Sequence, residues 1–188
     1  MEHHRTHPLP VLLLICAVAA ALGLASSAAA GQPGVETFTG ACDMSGSIRH
    51  DPPLTQEPAP TEIHGRFSGT CTGELVDREG RTRQLDGAPA RYEVRDAGGD
   101  LSCNGGTAHG TGSLLFGGGQ TIEFTLTERR PGPGLAVVAL KGASGGTATL
   151  FGNVSPKEDL LQAVERCSGS GLRLIHADGR IVSPGISG

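Results

Sequence analysis

The sequence predicts an all-β fold: an antiparallel β-barrel or sandwich of about eight to nine strands, with one α-helix near residues 156–167. Three observations carry this reading. Residues 36–49 and 63–75 alternate apolar or small side chains with polar ones at period two. Thirty glycines are scattered through strand-like stretches with no three-residue period, which excludes collagen and favours β structure with frequent turns. A helical pattern of apolar residues is recognised in one place, after Ser155.

The fold is expected to begin after a cleaved export signal. Residues 11–24, "VLLLICAVAAALGL", carry no charge and follow a short polar start containing Arg5. Ala28 and Ala30 supply the small-x-small pattern of a signal peptidase site, predicting a mature chain that starts at Gly31. A membrane span needs ~20 apolar residues, more than this run provides. Cys16 follows bulky Ile15 inside the run, which is not a lipid-attachment context. The division is therefore residues 1–30 as signal peptide and residues 31–188 as a single disulfide-stapled β domain. The expected location is extracellular or periplasmic, with no membrane association after cleavage.

In the first strand, residues 36–49, Phe38, Gly40, Cys42, Met44, Gly46 and Ile48 share one face. In the second, residues 63–75, Ile63, Gly65, Phe67, Gly69, Cys71, Gly73 and Leu75 share one face, and His64 and Arg66 lie opposite. A proline-rich segment, residues 50–61, separates them and reads as an extended loop. A hairpin symmetric about that loop pairs Cys42 with Cys71, Met44 with Gly69, Gly46 with Phe67 and Ile48 with Gly65. Large side chains then lie opposite glycines on a common buried face.

Residues 81–85 and 90–94 read as two strands broken at "DGAP", and residues 100–116 as one long strand, bent or bulged. Residues 121–128 place Ile122, Phe124 and Leu126 inward. Residues 135–141, "LAVVALK", are apolar on both faces and call for a cover on the outside. Residues 146–154 form the next strand. Ser155 then reads as a helix N-cap, with Pro156 in the first turn and Glu158 completing a capping box. Leu160, Leu161, Val164 and Cys167 form the apolar face of that helix, the candidate cover for residues 135–141. Residues 172–183 close the fold, with Asp178–Gly179 as a hairpin turn. Inward glycines permit tight curvature and favour the barrel over the sandwich.

The mature chain holds four cysteines, which in an exported domain implies two disulfides. The hairpin register assigns Cys42–Cys71 and leaves Cys103–Cys167. Chain entropy gives about 3.5 kcal/mol for the shorter loop and about 4 kcal/mol for the longer. No C-x-x-C spacing supports a zinc or redox site, and no metal or cofactor is expected.

Composition narrows function more by exclusion than by assignment. The net charge of −4 offers nothing to nucleic acid or an anionic membrane. With no Trp and one Tyr, the chain has little with which to stack on sugars or bases. Only two of the fifteen basic residues are lysines, a bias expected of a GC-rich bacterial genome.

Residues 142–146, "GASGG", match the serine-hydrolase elbow, but strands flank them on both sides, so Ser144 reads as part of a hairpin turn. His109 has two readings. In a regular strand it joins Thr107 and Thr111 inside, suited to a ligand or to acid–base work. With a bulge at Gly105–Gly106, Ala108, Gly110, Gly112, Leu114 and Phe116 face inward, and His109 faces solvent. The second pattern gives better core residues. His50, Asp51 and Leu54 at the proline-rich loop are further candidates for ligand binding. No catalytic residue is assigned. The expected function is a secreted, non-enzymatic binding or interaction module with a small-molecule or protein partner. The alternatives are an exported hydrolase using His109 or Ser144, and an extracellular structural or inhibitor protein.

Overall fold

A computed structural model describes residues 34–132, 134–156 and 158–188. The expected signal peptide lies outside the described residues. Eight strands follow in order: β1 (Thr37–Leu54), β2 (Ala59–Val76), β3 (Thr82–Ser102), β4 (Gly105–Phe116), β5 (Thr121–Gly132), β6 (Leu135–Gly142), β7 (Gly145–Val154) and β8 (Leu172–Ser187). Helix α1 (Leu160–Ser168) lies between β7 and β8. Each strand pairs antiparallel with the next, and β8 pairs with β1, so the sheet closes into a barrel. Closure removes both sheet edges and decides between barrel and sandwich.

The β1–β2 register is the expected one. Cys42 faces Cys71, Met44 faces Gly69, Gly46 faces Phe67 and Ile48 faces Gly65. The glycines are required by close approach. A Cβ at Gly46 would strike the Arg66 carbonyl oxygen, and one at Gly69 would strike that of Asp43. Cys42 and Cys71 are bonded across this pair with Cα atoms 4.0 Å apart, both fully buried. Cys103 is bonded to Cys167 with Cα atoms 6.3 Å apart.

Several expectations need correction. The proline-rich segment is mostly strand: β1 runs to Leu54 and β2 starts at Ala59, leaving residues 55–58 as the turn. The prolines are tolerated because β1 leaves the β8 ladder between Arg49 and Leu54, and its pairing with β2 ends at Asp51–Glu62. The two strands expected at residues 81–85 and 90–94 are one, β3, with register shifts in place of a break. Residues 100–116 are a hairpin that turns at Cys103–Asn104. Asp178–Gly179 is no turn. It lies inside β8, paired to β1 and β7 at once, and two ladders outweigh one local turn preference.

The helix also begins later than expected. Asp159 caps it, its Oδ1 accepting from the Leu161 and Gln162 amides. Ser155 instead donates its amide to the His176 carbonyl, and the Glu158 carboxylate accepts from the His176 amide. Nor does the helix cover the outer face of β6, where Val137 and Ala139 stay exposed. The chain leaves β7 at one end of the barrel, and the Cys103–Cys167 bond holds α1 at that end.

The interior is layered. At the end away from the helix, Phe38 packs on Phe116, with Leu75, Ile122 and Ile186 buried around them. The middle layer stacks Tyr92 on Phe124 at 5.4 Å and sets Phe67 edge-on to Tyr92 at 5.7 Å. Beyond Phe67, toward the helix, Leu54, Ile63 and Leu101 are buried, and the packing leaves a cavity.

Candidate ligand cavity

The helix end of the barrel gathers the β1–β2, β3–β4 and β5–β6 turns and the β7–α1–β8 connection. A cavity of about 400 Å³ opens there. Its wall is mostly apolar: Ile48 and Leu54 of β1, Phe67 of β2, and Ile175 and Ala177 of β8. Ala163, Val164 and Cys167 of α1 form its cover. Leu135 and Val164 line the cavity while 56% and 66% exposed, and so mark its mouth.

The cover is tied down at the C-terminal end of the helix. Cys167 is bonded to Cys103 in the β3–β4 turn, and Ser168 Oγ accepts from Gln56 Nε2 of the β1–β2 turn at 2.9 Å. The Cys103 amide donates to the Thr55 carbonyl at 2.8 Å, joining those two turns to each other. Arg166, in the last turn, pairs with Glu158 of the segment before the helix at 3.7 Å.

Beside scattered polar residues such as Asn104 and Asn153, a buried charged cluster interrupts the apolar wall. Alternation along β5 continues past Leu126, so Glu128 and Arg130 point inward with Ile122 and Phe124. Alternation along β1 likewise continues past Ile48 to His50, which is fully buried. Arg130 donates from Nε to Glu128 Oε1 at 2.5 Å and from Nη2 to His50 Nε2 at 2.9 Å. Both side chains of the ion pair are nearly enclosed, with exposures of 11% for Arg130 and 8% for Glu128. A guanidinium has no acceptor, so His50 Nε2 accepts and the imidazole proton lies on Nδ1. Among the described residues, that Nδ1 has no partner. Burial first, and the Arg130 charge second, lower the His50 pKa to about 3. Burial, with Glu128 second, raises that of Tyr92.

The residues expected from the sequence are scattered across the molecule. Thr107, His109 and Thr111 lie on the outer face of β4, all exposed. Ala108, Leu114 and Phe116 take the interior, as the bulge reading has it, although the parity is set by a two-residue turn rather than a bulge. The described partner of His109 is the Thr127 hydroxyl at 3.2 Å. Asp51 is exposed and pairs with Arg173 at 3.3 Å and with Arg49 at 3.9 Å. Leu54 is on the cavity wall, and His50 lies behind Arg130.

Ser144 forms the β6–β7 turn at the opposite end of the barrel, with its amide donating to the Ser187 carbonyl. Asp43 is on the outer wall, paired with Arg180 at 2.8 Å. Among the described residues, no three His, Cys, Asp or Glu side chains converge as a metal site. A scan of protein-family models and searches of curated proteins and of solved structures each found no match, so the cavity is interpreted on its own geometry.

Proposed function

We propose that this protein is a secreted, non-enzymatic binding module that holds one small, largely apolar molecule in the end of its barrel. The cavity carries this reading: about 400 Å³, walled by aliphatic and aromatic side chains, with a few polar groups converging at one place. Such a volume falls within the ~300–1,000 Å³ range of small-molecule sites. Two disulfides suit an oxidising compartment outside the cytoplasm. A hydrolase reading needs His109 or Ser144 beside the cavity, and they lie on the outer wall and at the far end.

Calorimetric titration with decanol tests the proposal. Binding is expected to saturate at about one molecule per chain with a negative heat-capacity change, as apolar burial requires. Gly152 lines the cavity, and a Cβ there meets nothing nearer than 3.7 Å, so Gly152→Phe fills the space without striking the backbone. That variant is expected to weaken binding by roughly tenfold or more, about 1.4 kcal/mol. Equal binding by both proteins contradicts the proposal.

A further inference from the structure

Resting on that reading of the cavity, we infer that the ligand is electrically neutral and carries an oxygen acceptor, a hydroxyl or a carbonyl, seated on Arg130. The inference comes from the charge of the cluster and its unused donors. Arg130 lines the cavity and commits two N–H groups, one to Glu128 and one to His50. A guanidinium has five, so three have no partner among the described residues and are open to an incoming acceptor. His50 is neutral because its Nε2 accepts from a cation. One anion, one cation and a neutral imidazole leave the cluster with no net charge.

A carboxylate entering this site would place a second anion beside Glu128 over the same guanidinium. An ammonium would place a second cation beside Arg130. Either leaves a net charge beside an ion pair whose two side chains are nearly enclosed, where an uncompensated ion is costly. A hydroxyl or carbonyl oxygen accepts from the spare N–H groups as a charge-assisted bond and adds no charge. The other acidic side chain on the lining, Asp178, already has an interaction of its own. The volume of about 400 Å³ lies in the ~300–1,000 Å³ range of small-molecule sites, which suits a ten-carbon chain with a small head.

Four ligands of ten carbons each and different heads decide the matter: 1-decanol, 2-decanone, decanoate and decylammonium. They are titrated into the full mature protein near neutral pH. The alcohol and the ketone are expected to bind at least about tenfold tighter than either ion. Glu128→Gln removes the anion and leaves Arg130 uncompensated, so decanoate should gain at least about tenfold relative to decanol in that variant. If that variant does not fold, the ranking in the wild-type protein decides alone. Decanoate binding as tightly as decanol to the wild type overturns the inference and leaves the binding function standing. If none of the four binds, the binding function itself fails.

Discussion

His50 lies in the barrel wall with one ring nitrogen on a guanidinium and the other without a partner among the described residues. An unpaired buried N–H costs roughly 1–3 kcal/mol, and here it lies behind Arg130 rather than on the cavity lining. The same setting makes this residue a source of pH sensitivity. Its pKa falls from 6.5 in the unfolded chain to about 3 in the fold, so the unfolded state binds more protons between those values. Stability from this group is complete above about pH 6.5 and is lost as pH falls toward 3. The slope approaches ~1.4 kcal/mol per pH unit at most. Denaturant unfolding across that window should show the loss in the wild type. His50→Gln keeps an acceptor for Arg130 but cannot protonate, and is expected to have a flatter profile. Parallel profiles for the two proteins would contradict the account.

At the scale of elements, the two disulfides have separate duties. Cys42–Cys71 joins β1 to β2 in the packed middle of the barrel, whereas Cys103–Cys167 holds α1 across the open end. The double variant Cys42→Ala/Cys71→Ala is expected to lose about 2–4 kcal/mol of global stability. Cys103→Ser/Cys167→Ser should leave the barrel folded, raise amide hydrogen exchange in α1 selectively, and speed decanol release. Uniform exchange throughout the barrel in the second variant would show that the helix is no separate cover.

The same elements explain what could be read beforehand. The β1–β2 register was legible because three demands agreed: alternation, glycines opposite large side chains, and a cysteine pair. The polar cluster was equally present in the pattern. His50 keeps the parity of Ile48, and Glu128 and Arg130 keep that of Leu126. Prolines after His50 and the charges of Glu128 and Arg130 disguised them as strand ends, since inward charge is paid for only by pairing that one strand does not reveal. The helix position was illegible for another reason. Its apolar face suggested a sheet to cover, but Leu161 stays exposed, and the tether to Cys103 decides where the helix lies.

The whole molecule is a barrel packed with aromatic side chains through one end and the middle, with a cavity at the other end. Apolar residues face inward and most charged residues outward, the reverse of a transmembrane barrel with its lipid-facing apolar band. Filling the lower layers with Phe38, Phe116, Tyr92 and Phe124 makes a rigid floor, and the disulfides fix both wall and cover. That arrangement reduces the ordering cost of binding, because the space exists before the ligand arrives. A second concavity, on the outer wall around Phe151 and Arg180, is the competing location for a small molecule. Nuclear magnetic resonance of isotopically labelled protein with added decanol separates the two most directly. The account predicts saturable shifts at Leu54, Ala136, Val164 and Ile175 and none at Phe38, Leu75 and Phe116. Shifts centred on Phe151 and Arg180, or none anywhere, would contradict it.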